Sequence, residues 1–257
     1  MIVAFAVAVV ALAAFPLVER LSREPMLDLS LLRKPTFVGG LIAAFGMNGS
    51  LYAVLLYITV YLQTGLHYSA LGSGLRTAVI TAGAMLTALP AGRLTQRVPV
   101  RWLIGPGLAL VAIGLLLMRG IGADTSWTHL IPGFAIAGAG SGLVNAPLAS
   151  TAVGVVPPQQ SGMASGINTT FRQIGIATGV AALGSIFASR MRGATRATLT
   201  AHYATSLDAL LLVVALVALT AGAIAVILIR PRDFHNAPPP TTGADQQACD
   251  NEPVVVA

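Results

Sequence analysis

A chain of 257 residues that is 55% hydrophobic and only 9% charged cannot build a water-facing surface, for which a soluble domain draws on roughly 25% charged residues. Its formal charge of +6 is scattered through short loops and forms no basic stripe, which argues against nucleic acid as a partner. The single cysteine, Cys249, and the widely separated His67, His129, His202 and His235 supply neither a disulfide framework nor a metal cluster.

Apolar runs recur along the chain, and a run of about 20 residues at 1.5 Å each crosses the roughly 30 Å of bilayer hydrocarbon. They extend approximately from Met1 to Val18, Thr36 to Leu62, Leu71 to Gly92, Trp102 to Met118, His129 to Val153, Gln159 to Ala188 and Leu207 to Ile229. Hydrocarbon offers the backbone no outside partner, so each run is read as a helix and the fold class as all-α, a polytopic membrane bundle of about seven spans. The first run lacks the positive n-region of a signal peptide and is read as a span. Its start directly inside hydrocarbon leads us to expect an internal start or the edge of a truncated reading frame. From Pro231 the sequence turns polar and proline-rich, and a disordered tail over 231–257 is expected.

Basic residues in short loops set orientation. Arg20, Arg23, Arg33, Lys34, Arg93, Arg97, Arg101, Arg230 and Arg232 fall on one side; Arg119, Arg190, Arg192 and Arg196 fall on the other. The first side is read as cytoplasmic, which places the C-terminus inside. Fourteen arginines against one lysine suggest a GC-rich bacterial source and hence a bacterial cell membrane.

Arg172 is the most informative residue, because an ionised side chain inside a span costs roughly 2.5 to 3.5 kcal/mol on insertion scales and seldom faces lipid. At 100° per residue, Ser161, Ser165, Asn168, Arg172, Gly175 and Gly179 share one helix face, suited to a bundle interior or a water-filled cavity. Two readings are open: Arg172 and Asn168 line a substrate path or moving interface, or Arg172 binds carbonyls of a kinked neighbour and serves assembly. Gln173 is read as hydrogen-bonding glue to a neighbouring helix. Gly138 with Gly142, Gly162 with Gly166, and Gly175 with Gly179 have the small-xxx-small spacing that lets backbones approach, for packing or for sliding. Pro147 frees a carbonyl one turn earlier, so Asn145 either faces a cavity or satisfies that backbone. Arg76 is expected to reach the interface with its long side chain, and Arg93, Arg97 and Arg101 to face anionic lipid.

The nine acids, Glu19, Glu24, Asp28, Asp124, Asp208, Asp233, Asp245, Asp250 and Glu252, all lie outside the middles of the spans. No Walker loop, dinucleotide fingerprint, HExxH or GxSxG is present, so neither an enzyme nor a cofactor is expected.

Three segments resemble the C-terminal half of a fourteen-span drug exporter of the major facilitator superfamily, the proton-antiport branch that includes multidrug and methylenomycin-type pumps. Glu24 to Gly40, EPMLDLSLLRKPTFVGG, resembles the cytoplasmic approach to the C-domain. Ala91 to Leu103, AGRLTQRVPVRWL, resembles the loop motif G-x-L-x-D-R-x-G-R: Gly92, Leu94 and Arg97 match, whereas Gln96 and Pro99 replace the usual acid and glycine. Val155 to Gly179, VVPPQQSGMASGINTTFRQIGIATG, resembles a signature of the branch. The resemblance implies a linker helix and cytoplasmic loop over 1–35 and a six-helix domain of two three-helix repeats over 36–230. It also implies efflux of a small amphipathic or drug-like substrate, with the lipid bilayer and an N-terminal transporter half as partners and the proton-coupling acid in that half. A gating role for the 92–101 loop holds only as far as its motif does. The rival is a non-transporting scaffold or regulator, or a remnant.

Overall fold

In the computed structural model, residues 29–95, 97–121, 126–192, 199–230 and 233–234 are described. Six long helices carry them, with no strand among the described residues. We label these α1 (Pro35–Gly65), α2 (Ala70–Leu94), α3 (Arg101–Leu117), α4 (Ile131–Gly154), α5 (Ser161–Arg190) and α6 (Leu199–Leu228). Each coincides within several residues with one of the apolar runs. The run from Met1 to Val18 lies outside the described residues.

Local chemistry sets several of the starts. Pro35 opens α1, where its missing N–H is no loss, and the Ser69 hydroxyl accepts the Gly72 N–H at 3.1 Å to cap α2. Helix α1 is not uniform: Asn48–Tyr52 and Tyr61–Gly65 are π turns. In the first of these, the Asn48 Nδ2 donates to the Ala44 carbonyl at 2.7 Å and the Ser50 hydroxyl to the Gly46 carbonyl at 2.7 Å.

The helices pack mainly across two triplets, α1–α3 and α4–α6. The first helix of each triplet sits against the second and third of the other: α4 packs on α2 and α3, α1 packs on α5 and α6, and the two third helices, α3 and α6, pack together. Such exchange is the mark of a paired three-helix repeat. Its geometric consequence is that α2 and α5, the second helices, are both left mostly uncovered: 11% of each span is buried, against 67% for α1 and 56% for the span that contains α4.

Backbone proximity holds the crossings. A Cβ on Gly138 would collide with the Ile80 carbonyl, and one on Gly142 with the Ala84 carbonyl, so α4 lies directly against α2. The Thr87 hydroxyl closes this seam by donating to the Ala139 carbonyl at 2.8 Å. On the other side of α4, a Cβ on Gly140 would meet the Gly107 carbonyl at 2.6 Å, and one on Gly133 the Gly114 carbonyl at 2.6 Å.

The end carrying Lys34 is fastened by contacts between the segment that opens α1, the end of α4 and the segment that follows α6. The Thr36 hydroxyl donates to Asp233 Oδ2 and accepts the Arg230 N–H at 2.8 Å, while Lys34 Nζ donates to the Val155 carbonyl at 2.9 Å. Phe234 packs against the apolar cluster of Ala43, Leu148 and Ile229. Asp233 and Phe234, within the stretch read as tail, thus make contacts with the packed body. Residues from 235 onward lie outside the described residues. At the opposite end, Asp208 accepts from Arg119 at 3.0 Å and from the Gly120 N–H at 2.6 Å. Arg76 does not simply extend to the interface: its guanidinium lies 3.6 Å from the Tyr68 ring centre and 4.9 Å from that of Trp127, a cation–π clasp.

Glycines with one spacing thus divide by environment. Gly138→Val is expected to force α4 off α2 and lower stability by about 1–3 kcal/mol. Gly162→Ala and Gly166→Ala meet nothing within 4 Å and are expected to hold or raise the midpoint through helix propensity, by about 0.5–1 kcal/mol. Thermal unfolding of the purified chain in detergent checks both; equal losses at all three positions would contradict this packing.

Candidate functional site

Where α4, α5 and the π-turned part of α1 meet, the chain assembles its polar intramembrane groups. Arg172 sits about 16 Å along α5 from Ser161, near the middle of the span. Its NH2 donates to Asn145 Oδ1 at 2.9 Å, and Asn145 Nδ2 donates to the Ser141 carbonyl at 2.8 Å. Asn145 thus spans two helices, with one half of its amide oriented by its own backbone and the other anchoring the arginine. The Arg172 Nε is buried with no hydrogen-bond partner. Tyr52 is exposed on α1, and its hydroxyl acts electrostatically on the guanidinium.

The stripe read from α5 straddles a boundary. Asn168 and Gly175 are buried, Ser161, Arg172 and Gly179 are half-buried, and Ser165 is exposed. Gly175 and Gly179 press on α1: a Cβ on Gly175 would lie 2.6 Å from the Phe45 carbonyl oxygen, and one on Gly179 would collide with the Gly49 carbonyl. Asn168 is 7% exposed and borders a narrow void with Phe37, Gly40, Leu41, Leu148 and Ala152. Among the described residues its amide has no hydrogen-bond partner.

Two expected contacts are absent among the described residues on this helix, for one reason. Gly162 and Gly166 pack against nothing, and Gln173 is exposed without a hydrogen bond to any described residue. All three point to the uncovered side of α5, not into the bundle. That side is mostly small and polar, carrying Ser165, Thr169, Thr170, Gln173 and Thr178, with Ile174 as its exposed large apolar residue. The uncovered sides of α2 and α6 are apolar instead, with Leu75, Met85, Leu86 and Leu89 on one and Leu212, Leu216, Val217 and Ile227 on the other.

The loop after α2 is separate from this centre. Gly92, Arg93, Leu94 and Arg97 are exposed, and Arg93, Leu94 and Arg97 line an open groove of about 720 Å³ with Leu89 and Pro90. Arg101 begins α3 with its guanidinium 5.4 Å from the Trp102 ring centre. Gln96 lies outside the described residues. The one ion pair among the described residues, Arg119 with Asp208, is at the far end of the bundle, so Arg172 has no carboxylate beside it.

Sequence reasoning missed Tyr52. The π turn over Asn48–Tyr52 advances the helix face out of the 3.6-residue rhythm, so counting from Thr36 does not reveal which residue looks toward α5. The run of Asn48, Gly49 and Ser50 within an apolar stretch was the available signal.

Comparison with known families agrees with this architecture. Residues 36–254 match the model of the Major Facilitator Superfamily. The multidrug resistance protein Stp of Mycobacterium tuberculosis is 31% identical over 182 residues, covering 71% of this chain and 34% of that relative. The puromycin resistance protein pur8 of Streptomyces alboniger is 32% identical over 198 residues, 76% of this chain and 39% of the relative. The cephamycin export protein CmcT of Amycolatopsis lactamdurans is 33% identical over 198 residues, 75% of this chain and 40% of the relative. The helix exchange and these matches define a multi-pass membrane protein of the transporter class. The chain belongs to the Major Facilitator Superfamily and spans between a third and two fifths of the length of these relatives.

A hydrogen bond between helices inside a bilayer is worth on average about 0.6 kcal/mol, and one to a charged group about 1.5–3 kcal/mol. A double-mutant cycle of Asn145→Ala and Arg172→Gln, read by unfolding in mixed micelles, is therefore expected to give a coupling of about 1 kcal/mol. Strict additivity would mean that the 2.9 Å contact carries no energy.

Proposed function

We propose that this chain supplies the C-terminal half of a proton-driven drug or small-molecule exporter and works against a complementary six-helix half. The observation that carries this reading is the uncovered face of α5. Lipid is matched by leucine and valine, as on α6, whereas a face of serine, threonine and glutamine flanking an intramembrane arginine suits water, substrate or protein. The second helices of both triplets, α2 and α5, are uncovered together, which presents a paired surface to one partner. Arg172, Asn145, Asn168 and Ser165 border the path between the halves, with Gln173 facing it. The loop residues Arg93, Arg97 and Arg101 lie on the cytoplasmic side, and the C-terminus with them. Described acids are confined to the bundle ends, at Asp208 and Asp233, so the carboxylate that couples transport to protons comes from the complementary half. The relatives' printed roles in drug resistance and antibiotic export support the substrate class.

The test is ethidium efflux from a pump-deficient bacterium that expresses the chain alone or together with the N-terminal half of a relative. Efflux abolished by a protonophore is expected only from the pair. Robust efflux by the chain alone overturns the half-transporter reading. Co-purification with an intact exporter whose flux ignores Arg172→Ala favours a scaffold.

A further inference from the structure

Arg172 is held but not neutralised. A guanidinium has five N–H donors, and here one of them is engaged, by the neutral amide of Asn145. An arginine that serves only assembly is saturated by several carbonyls or paired with a carboxylate; this one has neither among the described residues, although it sits at mid-span where an uncompensated charge is most costly. Asn145 cannot rotate away to serve another group, because its own Nδ2 is occupied by the Ser141 carbonyl at 2.8 Å. The guanidinium is thus fixed in direction by a neutral acceptor, its charge left over. Thr169 and Gln173, neighbouring it on α5, are exposed and polar, and the hydroxyl of the exposed Tyr52 acts on it electrostatically from α1.

We infer that Arg172, anchored by Asn145, is an anion subsite that receives the acidic group of an amphipathic organic anion, a sulfonate or carboxylate, whose apolar body lies against Tyr52. The inference rests on the transporter reading and deepens it by naming the substrate class. A planar fork suits such a group because it offers parallel donors to two oxygens. A neutral anchor makes the counterion exchangeable: a fixed carboxylate at position 145 would satisfy the arginine permanently and close the site.

The substitution Asn145→Asp tests this directly, since it is close to isosteric and keeps the guanidinium in place. Binding is measured on the purified chain in phosphatidylcholine nanodiscs with a matched pair of fluorophores, 8-anilinonaphthalene-1-sulfonate and uncharged N-phenyl-1-naphthylamine, against empty discs. The sulfonate is expected to bind saturably and to lose about tenfold in affinity with Arg172→Gln. Asn145→Asp is expected to produce the same loss while the melting temperature holds or rises. The uncharged analogue is expected to move by less than about twofold in either variant, the guanidinium contact being the only one removed. Equal sulfonate affinity in all three proteins overturns the inference, as does a parallel loss of both fluorophores. Loss of co-purification with a relative's N-terminal half in Arg172→Gln, at unchanged sulfonate affinity, also overturns it, because the counterion is then an acid of that half. The broader reading fails separately, through the absence of protonophore-sensitive ethidium efflux from the wild-type pair.

Discussion

Close approach of helix backbones is the constraint on which this structure depends. Between helices in hydrocarbon the hydrophobic effect offers no gain over lipid, so association relies on contact area, small residues and the occasional polar bridge. Helix α4 meets this requirement on two sides at once. Gly138 and Gly142 admit α2, while Gly133 and Gly140 admit α3. One helix can therefore be the axis of its neighbours without bulky side chains. In α1 the same role falls to Gly46 and Gly49, which admit α6 and α5.

That packing produces the functional surface as a by-product. Because the first helix of each triplet packs on the opposite triplet, each second helix buries one narrow face against it and leaves the rest uncovered. Their exposed sides then diverge by composition: leucine and methionine on α2, serine, threonine and glutamine on α5. Of the polar groups that α5 carries toward the bundle, Asn168 lies against the first turns of α1 and Arg172 against Asn145 of α4, close to Pro147. The π turn of α1, irregular backbone at membrane depth, is tolerated where it borders protein, and there Gly49 meets Gly175 of α5.

The spans were legible because length and apolarity alone decide them; even the 17-residue α3 stood out between Arg101 and Arg119. Arg172 and Asn145 were legible as polar residues in apolar runs, but their partnership was not, since 27 residues separate them and nothing in either sequence names the other. The glycine pairs show the limit most clearly. Gly162 with Gly166 and Gly175 with Gly179 have one spacing on one helix, yet the second pair touches α1 and the first touches nothing. Spacing reports that a helix can be approached, not from where. Phe234 sits in a polar, proline-rich context that reads as tail, and its partial burial depends on a distant cluster and on Gly154, which local sequence does not reveal.

Among the described residues, buried polar atoms without a partner occur at several places: Ser73 Oγ and Arg76 Nε on α2, Arg101 Nε at the start of α3, and Arg172 Nε on α5. At the ends, Asp208 takes up Arg119 and the Gly120 N–H, while Thr36 ties down Arg230 and Asp233. At the α4–α5 contact the Arg172 Nε is buried with no hydrogen-bond partner, and Asn168 borders a narrow void. A buried polar group without a partner costs about 1–3 kcal/mol, and of these atoms the Arg172 Nε is the one near mid-span, where a charged group is most costly. On the proposed reading that cost is the counterpart of binding, because groups already saturated by the protein have nothing to offer an incoming molecule.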